Sequence, residues 1–230
     1  MGEFFENSVF FGVLISFASY GLGTVLKRKF KLALFHPLLI AIVLTMGVLV
    51  LFRVDYESYH AGAQYLSYLL GPATVCLAIP LYEQFQLLRQ NLKAVLAGIF
   101  SGVLTSLCSV LFLAWLLGMD HSAYVTLLPK SITTAIGMGV TQELGGHVSL
   151  TVAVIIITGI LGSMLAQPVC KLFRITHPVA KGIAIGSSSH VMGTAKAMEI
   201  GEVEGAMSSL SVVVSGLLTV VGAGIFARFL

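Results

Sequence analysis

Six stretches of this chain carry no Asp, Glu, Lys or Arg: residues 7–26, 32–52, 58–82, 94–119, 144–170 and 205–227. A bilayer core about 30 Å thick takes a helix of about 20 apolar residues. All six stretches reach that scale. The chain has 230 residues, of which 57% are hydrophobic and 10% charged, with a mean hydropathy of +0.97. A soluble domain carries roughly 25% charged residues, so too few charges remain here to build a water-facing surface. A soluble domain, a disordered chain, a nucleic-acid binder and a disulfide scaffold are all disfavoured. The formal net charge of +3 points to no polyanionic partner.

A membrane-spanning strand shows about ten residues of alternating polarity. The stretches here are continuous and twice as long, so helices are expected. In lipid a helix also pairs its own backbone groups. The expected fold class is an all-α polytopic membrane protein of about 6–8 membrane segments, including broken or re-entrant helices. Residues 1–230 are expected to form a single integral membrane domain. The segment before the first stretch has no basic region, and no small-residue cleavage site follows it. This stretch therefore reads as a retained helix rather than a signal peptide. Cys76, Cys108 and Cys170 lie in apolar stretches with no CxxC spacing, which suits packing rather than disulfides or zinc.

Orientation follows the excess of Lys and Arg in cytoplasmic loops. Lys27, Arg28, Lys29 and Lys31 make the densest basic loop, which sets it inside and the N-terminus outside. Arg89 and Lys93, and then Lys171, Arg174 and Lys181, fall inside in turn. Residues 121–147 then have both ends outside and form a broken or re-entrant segment. Residues 178–204 are expected to cross outward, leaving Glu199, Glu202 and Glu204 outside and Arg228 inside. An offset of 120 residues aligns Gly62 with Gly182, Ser67 with Ser187, Thr74 with Thr194 and Gly102 with Gly222. The element order suggests an inverted repeat, about 32–119 and 144–230, as in many transporters.

Three apolar segments are too polar to face lipid. Residues 70–84 contain Pro72, Thr74, Pro80 and Glu83 and end at Gln84. Proline in a helix interior removes a hydrogen bond, at about 3 kcal/mol. Either the helix is kinked but packed, or it is broken and exposes free carbonyls. Residues 128–134 contain Pro129, Lys130, Ser131, Thr133 and Thr134. Lysine at the bilayer centre costs about 2.5–3.5 kcal/mol. Lys130 either snorkels to the interface or, with the hydroxyls and a helix N-terminus, receives an anion. Residues 186–196 contain Ser187, Ser188, Ser189, His190, Thr194 and Lys196 between Gly186 and Gly193. These form either a polar helix–helix contact or a cradle for a carboxylate, with Gly193 permitting a break.

Catalysis has little support. Gly186-Ser187-Ser188-Ser189-His190 lacks the second glycine of a nucleophile elbow. HExxH, Walker A and GxGxxG patterns are absent from the sequence. No enzyme activity, metal or cofactor is expected.

Residues 127–134, Gly145-Gly146, Ser188-Ser189-His190, Gly193-Thr194-Ala195 and Glu199 resemble the LrgB/CidB family. So do 71–75, 80–84 and Glu204-Gly205-Ala206. The similarity covers nearly the whole chain. One departure is Ala135 after Thr134, where the family commonly has proline. The resemblance implies a polytopic inner-membrane protein. Bacterial members are described as antiholin-like modulators of murein hydrolase export and lysis, with a smaller LrgA/CidA-type partner. The plastid relative exchanges glycolate and glycerate, and some bacterial relatives are linked to pyruvate or 3-hydroxypropionate.

Together these readings predict a secondary transporter of small monocarboxylates, working by alternating access with an elevator-like homodimer as one version. Lys130, Ser131, Thr133, Thr134, Ser188, Ser189, His190, Thr194 and Lys196 are the expected substrate contacts. Pro72, Thr74, Pro80 and Gly193 are the expected helix breaks. His190 or Glu83 would couple a proton or ion, since histidine titrates near pH 6.5. The expected partners are the carboxylate, a second copy, an LrgA/CidA-type protein and the lipid bilayer, with no nucleic acid. The alternative is a lysis regulator acting as a membrane oligomer.

Overall fold

The computed structural model describes residues 10–30, 35–76 and 78–230, and for Leu70, Gly71, Thr74, Pro80 and Leu81 it describes the backbone alone. Among the described residues all regular structure is helical. The chain divides into two compact units, Met1–Cys76 and Leu77–Leu230.

In the first unit, α1 (Phe11–Phe30) packs against α2 (Pro37–Phe52) and α3 (Tyr56–Ala63). Two glycines allow these approaches. A side chain at Gly23 would meet the Pro37 backbone, and one at Gly12 would meet the backbone of Tyr59 and Ala63. Ser16 and Tyr59 share a hydroxyl–hydroxyl hydrogen bond of 2.9 Å across this seam. Arg53, left-handed at φ 52°, ends α2. The Asp55 carboxylate then accepts from the Glu57 N–H and caps α3. A 3₁₀ turn, Gln64–Leu69, leads to α4 (Leu70–Cys76), which contains Pro72. The side chains of Thr74 and Pro80, both expected helix breakers, lie outside the described residues.

The second unit opens with two short helices, α5 (Ala78–Glu83) and α6 (Phe85–Gln90). Among the described residues three helices are long and apolar enough to cross a membrane: α7 (Leu92–Leu116), α10 (Val148–Leu172) and α12 (Glu202–Phe226), the last extended by a 3₁₀ turn to Phe229. Each has 25 residues, or about 37 Å at 1.5 Å per residue. The core between α7 and α12 is made on the α7 side by Val95, Ile99, Val103, Leu107, Val110 and Ala114. These residues recur at helical spacing and pack with Ala206, Met207 and Ala223 of α12.

Between the spans lie two segments that enter and turn back. The first is α8 (His121–Leu127), an irregular turn over 128–133, and α9 (Thr134–Glu143). Its two ends lie together. Thr126 Oγ1 accepts from the His147 N–H at 2.8 Å, Ser122 donates to the Gly145 carbonyl at 3.3 Å, and Thr141 and Thr151 bond at 2.8 Å. Residues 121–147 thus form a helix–turn–helix hairpin whose ends lie side by side.

The second is α11 (Pro178–Ile200), and here the structure corrects the expected topology. The helix is interrupted at His190, with φ 43° and ψ −141°, and the chain reverses there. A Cβ at Gly193 would lie 2.8 Å from the Ile185 carbonyl oxygen, although eight residues of continuous helix span about 12 Å. Gly186 on the first leg and Thr194 on the second both meet Ser208 of α12. Residues 178–204 therefore return to the end they left, and Lys181 pairs with Glu204 at 3.8 Å. Arg228 sits at the opposite end, where His121 Nδ1 lies 2.7 Å from the Leu230 carbonyl. The break expected at Gly193 falls at His190. Gly193 instead lets the returning leg lie against the first.

A non-glycine residue held at such dihedrals stores about 1–3 kcal/mol. This gives a test of the reversal. Inside a normal helix alanine is more stable than glycine by about 1 kcal/mol. At position 190 we expect the reverse order, with His190→Gly melting a few degrees above His190→Ala. Both lose the imidazole, so the comparison isolates the backbone. Thermal unfolding in detergent reads it, and the normal helical order would refute the turn.

Candidate functional site

The two hairpins point toward each other along α7. Their tips meet it one turn apart, about 6 Å by helical rise. A Cβ at Gly102 would sit 3.0 Å from Ser187 Oγ of the second hairpin. Ser106 Oγ lies 3.2 Å from Ser131 Oγ of the first. Ser106 is about midway along α7. The polar turns thus lie at membrane depth, where irregular backbone is tolerated only if protein buries it or it lines a cavity.

A cavity of about 730 Å³ occupies this meeting point, within the size range of small-molecule sites. Its lining runs from Asn91 and His177, beside the basic loops, to Ser109, Lys130 and Ser131. One wall is the face of α7 that carries Gly98, Ser101, Gly102, Thr105, Ser106 and Ser109. The other wall is the first leg of α11, with Ile183, Ala184, Ser187 and Ser188. The irregular turn contributes Lys130 and Ser131.

At the inner end Lys130 Nζ donates to Ser131 Oγ at 3.1 Å, and Ser131 in turn bonds Ser106. Lys130 is half-buried. Among the described residues no carboxylate lines the cavity, and none of the ion pairs involves Lys130. An ammonium has three donors, and one is used here. Four further lining hydroxyls bond back to their own helices. Ser101 donates to the Gly98 carbonyl, Ser109 to Ser106, Ser187 to Ile183 and Ser188 to Ala184, at 2.7–2.9 Å. Such bonds exchange by a rotation of the hydroxyl, so an anion in the cavity can recruit them. The turn also precedes the N-terminus of α9, whose dipole favours negative charge.

Of the expected contacts, Lys130, Ser131 and Ser188 line the cavity, together with Ser187. The others lie elsewhere. Ser189 faces α10, where a Cβ at Gly162 would overlap its side chain. His190 is buried, and its Nε2 donates to the Ile155 carbonyl at 3.0 Å. Thr194 donates to the His190 carbonyl and bonds Ser208 at 2.8 Å. These three residues hold the second tip in place. Lys196 pairs with Glu199 at 2.7 Å. Thr133 is the residue preceding α9, and Thr134 is its first; neither lines the cavity. Glu83 borders a separate hollow of about 210 Å³ with Gln84, Met198 and Glu202. Among the described residues no cluster has the composition of a metal site.

The hydroxyl face of α7 escaped the sequence reading, which judged 94–119 by its lack of charge. The signal was present. Gly98, Ser101, Gly102, Thr105, Ser106 and Ser109 recur at spacings of three and four, which places them on one helix face.

The profile of the LrgB-like family matches residues 16–229. Antiholin-like protein LrgB of Bacillus cereus (strain B4264) is 36% identical over 222 residues, covering 96% of this chain and 96% of its own. Antiholin-like protein LrgB of Bacillus anthracis (strain CDC 684 / NRRL 3495) is similar to the same extent. No solved structure matches the chain.

Proposed function

The chain belongs to the LrgB-like family of membrane proteins, and from that premise we propose that it is a secondary transporter of small monocarboxylates of the glycolate, glycerate, pyruvate or 3-hydroxypropionate kind. One observation carries the reading: a hydroxyl-lined cavity at membrane depth holds a lysine and, among its described lining residues, no carboxylate. A half-buried cation at membrane depth without an acidic partner is costly. An incoming carboxylate offsets that cost, with Lys130 and Ser131 as its anchor. Ser106, Ser187 and Ser188 supply further hydrogen bonds. The reading includes a multi-pass homodimer in the inner membrane, elevator-like alternating access and no enzymatic step. An LrgA/CidA-type partner is the expected accessory.

The test is uptake of labelled glycolate, glycerate or pyruvate by proteoliposomes containing this protein. Flux several-fold above empty liposomes is expected for at least one acid. Background flux for all of them, with an LrgA-type partner also supplied, would overturn the reading.

A second reading comes from the relatives' names, which are antiholin-like. In it the chain regulates lysis as a membrane oligomer through its lipid-facing surfaces, and the cavity is structural. Lys130→Ala and Ser188→Ala separate the two. Regulation survives both substitutions in this second reading, whereas transport is lost at normal membrane abundance in the first.

A further inference from the structure

Resting on the transport reading, we infer that the same site takes monocarboxylates with an alkyl tail, of about eight to ten carbons in all, more tightly than two- or three-carbon acids. The carboxylate sits at Lys130, and the tail lies between α7 and the first leg of α11. The contacts set a register along the cavity. A Cβ at Gly98 would lie 3.2 Å from Ile183 Cγ2, and one turn further on a Cβ at Gly102 would lie 3.0 Å from Ser187 Oγ. After another turn Ser106 meets Ser131. Polarity changes along this register and not across it. At the levels of Ser106 and Gly102 the lining carries hydroxyls, with Ser101 and Thr105 on one wall and Ser187 and Ser188 on the other. From Gly98 toward the basic loops both walls turn apolar, with Ala94 on α7 and Val179, Ala180, Ile183 and Ala184 on α11. Polar lining returns only at Asn91 and His177.

The length follows from the same register. Ser106 and Gly98 are two helical turns apart, about 12 Å by helical rise. An extended carbon chain with bonds of 1.52 Å at about 111° advances about 1.25 Å per bond, so about eight to ten carbons reach the apolar levels. A three-carbon acid covers about 2.5 Å and leaves those levels to water, which apolar walls disfavour. The volume agrees, since about 730 Å³ suits ligands several times larger than such an acid. The path is also passable for carbon. Ser187 and Ser188 bond back to the carbonyls of Ile183 and Ala184, so methylenes pass them without unpairing a polar group. The cavity is open along α7, where Ser101, Thr105, Ser109 and Ser188 are exposed. A chain can therefore lie down in it lengthwise.

Equilibrium binding tests the tail site without requiring flux. Labelled 3-hydroxybutyrate, 3-hydroxyhexanoate, 3-hydroxyoctanoate and 3-hydroxydecanoate are titrated onto the full-length protein in nanodiscs, with binding to empty nanodiscs subtracted. The four probes share one head and differ only in methylenes. A methylene leaving water for an apolar wall gains about fourfold in affinity, so 3-hydroxyoctanoate should bind about 10-fold or more tightly than 3-hydroxybutyrate. Ala184→Phe fills an apolar level and should weaken 3-hydroxyoctanoate by about 10-fold or more, with 3-hydroxybutyrate changed by less than about twofold. The retained short acid then reports that the variant is folded. Ala184→Val adds less bulk and should show the same split at a smaller size. Equal affinity along the series would overturn the inference. So would an equal loss of short and long acids in both Ala184 variants when each is monodisperse. In either case, uptake of the short acids would leave the transport reading standing. Length-dependent binding by a protein that carries none of these acids would keep the tail site and sink transport.

Discussion

Lys130→Ala should lower carboxylate uptake about 30-fold or more while leaving the melting temperature unchanged or higher. The two effects have different origins. A hydrogen bond to a charged group contributes about 1.5–3 kcal/mol, and about 1.4 kcal/mol is a factor of ten in affinity. Losing an ammonium–carboxylate contact in a partly dehydrated cavity reaches the upper part of that range. Without substrate the lysine is a liability. Its charge at membrane depth costs about 2.5–3.5 kcal/mol on insertion scales, and among the described residues its compensation is one bond to Ser131. A lysine kept for stability would behave in the opposite way, losing melting temperature together with flux. Lys130→Arg keeps the charge but not the point geometry of an ammonium, so it should fall between alanine and the native residue. Unchanged uptake for Lys130→Ala, measured in proteoliposomes at matched protein content, would remove the anchor from the proposed site.

Gly186→Ala should be among the most damaging single-methyl additions in the chain. A Cβ there would lie 2.8 Å from Ser208 Cα and would also overlap the Ser208 carbonyl oxygen. The obstacle is largely backbone, so it cannot rotate away. Overpacking a close interface costs about 1–3 kcal/mol, and this site belongs at the top of that range. For a chain of this size about 3 kcal/mol lowers Tm by roughly 6–12 °C. The control lies on the facing helix. Gly224 of α12 has nothing within 4 Å of its Cβ position, so Gly224→Ala should be neutral or slightly stabilising through helix propensity. Equal melting temperatures for the two variants would mean that the second hairpin does not seat on α12 as described.

The readable parts of this protein were those written in local pattern. Charge-free stretches of about membrane-spanning length marked α7, α10 and α12. Proline, lysine and hydroxyls over 129–134 marked the turn of the first hairpin, and Lys130 and Ser131 do share a cavity with Ser188. The failures were at 178–204 and at 94–119. Twenty-three mostly apolar residues, 178–200, look the same whether a helix crosses or folds back. The reversal depends on one residue in an unfavourable dihedral region, held by Ile155 and Thr194 from outside its own turn. The charge rule then misplaced Glu204 and Arg228, because an ion pair to Lys181 settled what a loop count could not. The α7 face was missed for a different reason: serine and threonine in an apolar helix commonly satisfy themselves on the preceding turn. They become a site only when a second wall stands opposite.

Sequence by itself determined that this chain lives in a bilayer as helices, and that polar groups at 129–134 and 186–196 must be sheltered from lipid. Those conclusions follow from transfer free energies, which are local and additive along a segment. Tertiary structure alone decided which of those groups face one another. Ser131 and Ser187 reach the same two turns of α7, while Ser189, His190 and Thr194 turn away into packing. That partition rests on where the chain reverses and on which glycines admit a neighbouring backbone. Both are properties of contacts between distant segments, so no window of sequence contains them.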